Sequence, residues 1–527
     1  MLVRNSADNK LDKKRKCGYR VLRSAGNIQI YMKKYTIKYG NIPVTKQKVC
    51  CKITGTVHKT IIKKWNISDE IIVEVYRYME NELFEKAPVH KAYFNMALPL
   101  VFSMVISLVY NMVDTFFIAR TGNTNLVAGV SLGAPMFTAM IALGDIFGLG
   151  GSSMIARLFG QRKDEDAKRI SSFCFYGAII CGVIVTVLLL IFRAPMLHLL
   201  GADANTYKYA SQYYTYLVLG SVFIIVSFTP NNQLRSEGFS KASMEGSVLG
   251  AVVNIILDPI FISVLGMGAG GAAIATIIGY IATDAYYVWI YLKKSKKLSI
   301  DPGHMHINMQ EFRQILGIPA SITNFMQSFA VTVTNRSLLV YGNNKVAAMG
   351  IVMKVNMIAA LILVGFAFGC QPLVGYNYGA RNKKRLKEIL AFCYKFECGL
   401  AVILAVILSA GARPLIRVFM KTPEIVDSGV LMLRLQQAGM MFMAVVLVTT
   451  CVFQSAGKAM GAFLLSVSRQ GVIYGIVIII ASHMIGYHGV LAAQAVSDFL
   501  TALMAAILLK HELWSELTDI KRNEEAV

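Results

Sequence analysis

The chain has 527 residues, of which 55% are hydrophobic and 16% are charged, and its mean hydropathy is +0.53. Soluble globular domains carry charge on about a quarter of their residues, so this composition excludes an ordinary soluble globule. Lys and Arg outnumber Asp and Glu by 53 to 30, but residues 1–66 alone hold 17 Lys and Arg against two Asp. The basic charge of the whole chain therefore does not indicate a nucleic-acid partner.

Residues 1–78 form a basic leader that differs from the rest of the chain. The leader shows no evident helical or strand period, and it lacks the apolar core and small-residue cleavage site of a signal peptide. We expect it to be disordered or not translated. Three interpretations remain open: translation that starts at Met79, a basic tail attracted to anionic lipid, and a targeting role.

Twelve apolar stretches follow the leader, each near the ~20 residues that a helix needs to cross a ~30 Å hydrocarbon core. Their approximate spans are 93–117, 126–149, 170–193, 211–229, 243–265, 270–292, 314–341, 346–369, 388–410, 429–453, 459–483 and 489–509. We therefore expect an all-α integral membrane protein with twelve transmembrane helices.

The chain also contains an internal repeat. Residues 126–173 align with residues 345–392, and the same register aligns Gly160 with Gly379. A mostly apolar repeat of this length indicates a duplicated membrane domain. Six spans fall in each copy, so the copies have parallel topology and are related by a pseudo-two-fold axis along the membrane normal. We expect two six-helix lobes, and we place the segments at 79–300 for the N-lobe, 301–513 for the C-lobe and 514–527 for a cytoplasmic tail.

Lys and Arg in the short loops predict the orientation of the chain. With the N-terminus inside, 20 of these residues face the cytoplasm and 7 face the opposite side, which is the asymmetry of the positive-inside rule. We therefore expect a multi-pass protein of the cell membrane with both termini in the cytoplasm.

Polar side chains within the apolar spans are candidate functional groups, because a carboxylate at bilayer depth costs about 2.5–3.5 kcal/mol. Asp114 lies in the first span, and Asn254 and Asp258 lie one turn apart on one face of the fifth. Thr276 adds a hydroxyl in the sixth span, and Pro259 removes a backbone hydrogen bond beside Asp258. These groups indicate a buried proton or cation site; the alternative is that each one satisfies an interhelical hydrogen bond.

Three motifs occur in order along the chain. They are Val113-Asp114-Thr115 in the first span, the segment 254–259 (NIILDP) in the fifth, and the segment 371–380 (QPLVGYNYGA) after the eighth. Together they resemble the multidrug and toxic compound extrusion (MATE) transporters, particularly the MepA-like branch, over about residues 79–513. The resemblance implies an antiporter that exports diverse, often cationic amphipathic drug-like compounds in exchange for H⁺ or Na⁺ by alternating access.

The same resemblance implies roles for individual residues. The family's N-lobe cation site corresponds here to Tyr110, Asp114, Asn254, Asp258 and Thr276, of which all but Tyr110 are candidate Na⁺ ligands. Pro99 corresponds to the proline at which the family's first helix bends. The seventh and tenth predicted spans contain no acid, which argues against a C-lobe ion site of the sodium type.

A lipid-linked oligosaccharide flippase of the same superfamily is the alternative transport function. Its polyanionic substrate favours Arg and Lys along the cleft and gives little reason for the pair of Asn254 and Asp258. An intramembrane enzyme needs a metal or nucleophile constellation, and the sequence holds no HExxH or haem-ligand pair. We therefore expect no enzyme activity, no cofactor or metal beyond the coupling ion, and a monomer that contacts membrane lipid but no nucleic acid.

Several intramembrane groups have roles that the sequence leaves open. They are Asp145, Asp284, Arg336, Lys354, Glu397 and Asp498. We expect Arg336 or Lys354 to pair with a carboxylate. Methionines of the eighth and tenth spans either line a repackable cavity or serve ordinary packing; they are Met353, Met357, Met432, Met440, Met441 and Met443.

Overall fold

The computed structural model describes residues 83–309, 311–312 and 318–514, together with the backbone of three segments between residues 19 and 39. The chain separates into two compact units, residues 1–79 and 80–527. The expected start at Met79 and the tail beyond residue 514 lie outside the described residues.

The three described segments of the first unit are β-strands. They are β1 (Tyr19–Ser24), β2 (Asn27–Met32) and β3 (Tyr35–Tyr39), and they pair antiparallel in that order. The expectation that the leader lacks a strand period is wrong for these segments. Polar and apolar residues alternate along Asn27-Ile28-Gln29-Ile30 and along Tyr35-Thr36-Ile37-Lys38-Tyr39, which is the two-residue period of a strand.

In the described residues, the second unit contains twelve long helices and no strand. They are α1 (Val89–Arg120), α2 (Thr124–Gly160), α3 (Asp164–Ile191), α4 (Tyr207–Leu219 and Ser221–Ser236), α5 (Ser240–Val264), α6 (Gly268–Lys293), α7 (Ile318–Leu339), α8 (Asn343–Gly379), α9 (Lys383–Ala410), α10 (Pro423–Gln437 and Met440–Ala456), α11 (Ala459–Ile485) and α12 (Tyr487–Leu513). Nine of these are each long and apolar enough to cross a membrane, the bent pairs α4 and α10 each make one further span, and α7 is the twelfth helix. The prediction of twelve transmembrane helices in two lobes is confirmed.

The two lobes share structural details at positions that the internal repeat aligns. The halves of α4 meet at 50° and those of α10 at 47°, and the bends fall at the equivalent glycines Gly220 and Gly439. An added Cβ would lie 2.3 Å from the Ile277 side chain at Gly220 and 2.8 Å from the Ala495 backbone at Gly439. Each bend therefore brings α4 or α10 into close contact with the sixth helix of its own lobe.

Short surface elements follow the same symmetry. A short helix, Arg193–Leu199, joins α3 to α4, and its counterpart Ala412–Phe419 joins α9 to α10. Arg162 after α2 and Arg381 after α8 both have positive φ, at 63° and 52°. The duplication seen in the sequence thus extends to the backbone conformation of single loop residues.

The lobes meet where α2 and α8 cross. An added Cβ at Gly160 would lie 2.0 Å from the Tyr376 carbonyl oxygen, and one at Gly379 would lie 2.1 Å from the Arg157 carbonyl oxygen. The repeat aligns Arg157 with Tyr376 as well as Gly160 with Gly379, so each lobe makes the same contact to the other. This reciprocity is what a two-fold axis imposes on an interface.

Further contacts between the lobes lie in the first half of α1 and the second half of α8. An added Cβ at Gly369 would lie 2.4 Å from the Ala97 backbone, and the Tyr93 hydroxyl donates to the Phe366 carbonyl oxygen at 3.1 Å. Small residues at helix crossings allow such close backbone approach within a membrane. These contacts, like the crossing of α2 and α8, lie toward the α2–α3 and α8–α9 loops.

Two arginines near the ends of α2 and α4 on this side are buried within the bundle. Arg157 is 9% exposed and Arg235 is 6% exposed. The Arg157 guanidinium donates to the Ser455 carbonyl oxygen of α10 at 3.0 Å and to the Ser153 hydroxyl at 3.2 Å. Arg157 therefore holds the N-lobe to the C-lobe as well as adding positive charge to this side.

Candidate functional site

A cavity of about 920 Å³ lies between the two lobes. Its lining comes from α1, α2, α4, α5 and α6 of the N-lobe and from α7, α8, α10, α11 and α12 of the C-lobe. The third helix of each lobe, α3 and α9, contributes no lining residue among those described. This volume is in the range of sites that bind small organic molecules.

Methionines form part of the cavity wall. They are Met104, Met349, Met353, Met357, Met440 and Met443. Of the methionines noted in the sequence, Met432 is fully buried and Met441 faces away from the cavity lining. The unbranched thioether side chain adapts to different contacting shapes, so this wall can repack around different molecules.

The expected N-lobe site is assembled from α1, α5 and α6, which pack against one another. Asp258 is fully buried, and its Oδ1 accepts a hydrogen bond from the Asn254 amide at 3.3 Å. Asp258 Oδ2, Asn254 Oδ1 and Asp114 Oδ1 are buried without a hydrogen-bond partner. Asp114 also lies within electrostatic range of Asp258. The fold therefore places two carboxyl groups from different helices within electrostatic range of each other and leaves acceptor oxygens unused.

These residues fall into two groups with respect to the cavity. Tyr110, Asn254 and Thr276 line it, whereas Asp114 and Asp258, each one helical turn further along α1 and α5, are outside the described lining. The Thr276 hydroxyl donates to the Ala272 carbonyl oxygen of its own helix at 3.0 Å, so its oxygen remains an acceptor for another group. The lining residues Tyr110 and Asn254 thus lie one turn from the two carboxyl groups on the same helices.

Two tyrosines that the sequence analysis did not single out complete the surroundings of this site. Tyr213 of α4 lies within electrostatic range of Asp114 and Asp258, and Tyr280 of α6 lies beside Tyr110. Hydroxyl-bearing aromatic residues inside apolar spans are the signal that points to them.

The backbone of α5 changes at the candidate site. The α-helix ends at Asp258, and a π-helical turn follows over Pro259–Val264. Pro259 has no N–H to continue the α-helical pattern, and single π-helical turns are frequent at functional sites. In the C-lobe, α11 has a comparable π-helical turn at Ser468–Val472.

Pro99 lies within α1, which continues through it from Val89 to Arg120. The Ser103 hydroxyl donates to the Pro99 carbonyl oxygen at 3.0 Å. Leu100 and Ser103, which follow the proline, line the cavity. Pro99 therefore immediately precedes the part of α1 that lines the cavity.

The C-lobe half of the cavity contains an ion pair. Arg469 Nε donates to Asp498 Oδ1 at 2.7 Å, and the Gln494 amide donates to the same oxygen at 3.1 Å. The expectation that Arg336 or Lys354 pairs with a carboxylate is wrong. The partner of Asp498 comes from the neighbouring helix α11, and both expected cations are exposed without a carboxylate within 4.0 Å in the described part of the chain.

In the internal repeat, the two residues of this ion pair align with two N-lobe glycines that form a close contact between helices. The internal repeat aligns Arg469 with Gly250 and Asp498 with Gly279. An added Cβ at Gly250 would lie 2.7 Å from the Gly279 carbonyl oxygen. The fifth and sixth helices therefore touch through their backbones in the N-lobe, and through two charged side chains in the C-lobe.

The remaining intramembrane acids differ in position. Asp145 lines the cavity and lies within electrostatic range of Arg235. Glu397 is fully buried outside the cavity lining, near Tyr93, and neither of its carboxyl oxygens has a hydrogen-bond partner. In the described residues of α7 and in the apolar half of α10, Met440–Ala456, there is no acid, in line with the sequence.

Twelve helices in two related lobes around a central cavity define a membrane transport protein. The MatE family profile matches residues 99–260 and 319–480, one match in each lobe. The chain belongs to the MatE family, and it is a multi-pass membrane protein.

Relatives and solved structures agree with this assignment. The chain is 30% identical to the multidrug export protein MepA of Staphylococcus aureus (strain NCTC 8325 / PS 47) over 438 residues, which cover 82% of this chain and 96% of that protein. It is 28% identical to MepA of Staphylococcus saprophyticus, with the same coverage. An outward-facing multidrug resistance MATE transporter superimposes with a TM-score of 0.76 at 25% identity, over 83% of this chain and 98% of that one. A MOP superfamily transporter from Pyrococcus furiosus Vc1 superimposes with a TM-score of 0.78 at 24% identity, over 84% and 98%.

Proposed function

We propose that this protein exports diverse, often cationic amphipathic compounds across the cell membrane in exchange for H⁺ or Na⁺. The observation that carries the proposal is that Asp114 and Asp258 have unused acceptor oxygens and lie one helical turn from Tyr110 and Asn254, which line the shared cavity. The multidrug export role of the MepA relatives supports the substrate class. The protein needs no second copy for this cycle, because both lobes and the cavity belong to one chain.

The proposed coupling rests on competition for negative charge. With the carboxyl groups ionised, the N-lobe half of the cavity attracts a cationic compound. Binding of H⁺ or Na⁺ at Asp114 and Asp258 removes or neutralises that charge and weakens the hold on the compound. Because such coupling is reciprocal, a bound compound also favours release of the ion. One pH unit supplies about 1.4 kcal/mol per proton.

Both candidate ions fit the available atoms. A proton can bind to either carboxyl group, and Na⁺ can use carboxylate, amide and hydroxyl oxygens from Asp114, Asn254, Asp258 and Thr276, the oxygen ligands that hard cations prefer. In the described residues, no group of three or more His, Cys, Asp or Glu is arranged to hold a metal ion. Separate pH and Na⁺ gradients distinguish the two ions.

Everted membrane vesicles test this function directly. We expect a fluorescent cationic dye to move into vesicles when a pH gradient or a Na⁺ gradient is imposed, and to stop moving when that gradient is collapsed. Each gradient is imposed separately so that the coupling ion is identified. Gradient-independent movement of a lipid-linked oligosaccharide, without dye transport, would favour a flippase instead.

We also propose that the observed conformation is the outward-facing one. The contacts between the lobes lie toward the α2–α3 and α8–α9 loops, which the positive-inside rule assigns to the cytoplasm together with both termini. Lobes that touch on that side leave the cavity reachable from the opposite side.

The orientation predicts the labelling of two exposed positions on the cytoplasmic side. In a variant without the nine native cysteines, we expect Lys163→Cys and Lys384→Cys to react with an impermeant thiol reagent only after the membrane is permeabilised. Both positions are exposed: Lys163 lies in the loop between α2 and α3, and Lys384 lies in the first turn of α9. Labelling of either cysteine in intact cells would contradict the orientation. A cysteine at Asn205, in the exposed loop before α4, is the control that should react from outside.

A further inference from the structure

Among the described residues, three cationic side chains line the cavity, and they differ in whether a carboxylate neutralises them. Arg469 is paired with Asp498 at 2.7 Å. Arg235 is buried, donates to the Asn232 side chain and lies within electrostatic range of Asp145. Lys354 is exposed in the cavity wall and has neither a carboxylate within 4.0 Å nor a hydrogen-bond partner among the described residues.

The position of Lys354 makes an unpaired charge costly. It is the twelfth residue of α8, so at 1.5 Å per residue it lies about 16 Å from the start of that helix, near the middle of a ~30 Å hydrocarbon core. Met353 and Met357 of the same helix line the cavity around it. A lysine at this depth is expected to face water or a partner, and the described protein residues supply no acidic partner.

The charges of the cavity are divided between the lobes. Asp114 and Asp258 belong to the N-lobe, one helical turn from the cavity-lining Tyr110 and Asn254, whereas the C-lobe wall carries Lys354 in addition to the neutralised pair of Arg469 and Asp498. A compound with a single positive charge meets attraction from one wall and repulsion from the other. A compound that carries a cationic amine at one end and a carboxylate at the other meets an opposite charge on both walls.

We propose that Lys354 binds the anionic group of zwitterionic amphipathic substrates, while their cationic group faces the N-lobe carboxyl groups. The inference rests on the proposed export function and adds a specificity-determining residue to it. Lys354 is better placed for this role than Arg469, because Arg469 already donates to Asp498. The Gln494 amide donates to the same Asp498 oxygen and helps to hold that carboxylate in place. A flexible ammonium with three donors can reach carboxylates held at different positions, as substrates of different length require.

A matched pair of probes isolates the anionic group. Norfloxacin is a zwitterion near neutral pH, and its methyl ester keeps the amine and the ring but loses the carboxylate charge. Purified protein is used to measure equilibrium binding of each probe by its fluorescence, and vesicles are used to measure transport of each. We expect Lys354→Met, which resembles the neighbouring methionines, to weaken norfloxacin binding about tenfold, as loss of one charge-assisted hydrogen bond does, and to leave ester binding unchanged or stronger.

Two variants serve as controls. Lys354→Arg keeps the charge and should retain the preference for norfloxacin over the ester. Lys345→Met changes a lysine of the same helix that lies outside the cavity lining and contacts Ser428 at 2.6 Å, and it should not change that preference.

The binding and transport measurements separate the two proposals. Equal loss of both probes in Lys354→Met, or unchanged norfloxacin binding, would overturn the role of Lys354. Loss of norfloxacin binding in Lys354→Met, with unchanged binding and transport of the ester, would support that role. If the wild-type protein binds both probes with the expected dependence on Lys354 but transports neither under any gradient, the export function fails while the assignment of Lys354 stands.

Discussion

Asp258→Asn is expected to leave a folded protein in the membrane while gradient-driven efflux falls to background. The amide keeps the size of the side chain and can still hydrogen-bond to Asn254, which Asp258 contacts at 3.3 Å. It cannot take up and release a proton, and it supplies no negative charge to Na⁺. Because coupling free energies between sites correspond to about 5–150-fold effects, we expect at least a tenfold loss of coupled transport. Asp114→Asn should impair transport too, though less.

The measurement is efflux per molecule of folded protein in everted vesicles, with Asp427→Asn as the control. Asp427 is an exposed acid of α10 that pairs with Arg413 at 2.7 Å, and exposed ion pairs contribute only about 0–1 kcal/mol. If Asp258 served only an interhelical hydrogen bond, asparagine would replace it and remove a costly buried charge. Coupled transport near the wild-type level in Asp258→Asn would therefore exclude this residue as the ion carrier.

Gly379→Ala is expected to separate the lobes at their crossing. The added Cβ would lie 2.1 Å from the Arg157 carbonyl oxygen and 2.7 Å from its Cα, both backbone atoms that cannot rotate away. An ordinary contact needs about 3.5 Å or more, so α2 and α8 must move apart. Overpacking of this kind costs about 1–3 kcal/mol and occasionally more. We expect a lower midpoint of thermal unfolding and a loss of transport, because the close contact between the lobes cannot form.

The symmetry of the fold supplies a second variant, and two glycines supply the controls. Gly160→Ala should have nearly the same effect, since its added Cβ would lie 2.0 Å from the equivalent carbonyl oxygen of Tyr376. Gly350→Ala in α8 and Gly399→Ala in α9 should be tolerated, because an added Cβ at either position has no neighbour within 4 Å. Wild-type thermal stability and transport in Gly379→Ala would show that the crossing is not a close contact in the functioning protein.

How far the sequence predicts this protein can be seen from its helices. Whether a segment crosses a membrane depends on its own length and hydropathy against a bilayer of known thickness, so the spans could be read one at a time. Two bent helices, α4 and α10, were still recognised as single spans, because hydropathy does not change at a glycine bend. The leader shows the opposite case: its short strands carry a weak two-residue signal, and all three of those described were missed.

The candidate site could be predicted only in part. Asn254 and Asp258 lie one turn apart on one helix, a relation that spacing alone establishes, and the resemblance added Asp114 from another helix. The ion pair of Arg469 with Asp498 was not predicted, because its two residues belong to different helices and charge alone did not distinguish Arg469 from Arg336 or Lys354. The repeat aligns these two residues with Gly250 and Gly279, but only the packing of α11 against α12 shows that a charged pair replaces the glycine contact.

By itself, the sequence determined the membrane class, the number of helices and the duplication, since each follows from local hydropathy or from comparison of the chain with itself. The tertiary structure decided which polar side chains face the cavity, which pair with each other, and that Lys354 faces it without a partner among the described residues. It also revealed that Gly160 lies against the Tyr376 backbone and Gly379 against the Arg157 backbone. Repeat alignment placed the two glycines at equivalent positions but could not show these contacts between the lobes. These features depend on how the surfaces of helices distant in the chain fit together, and that fit is a property of three-dimensional packing.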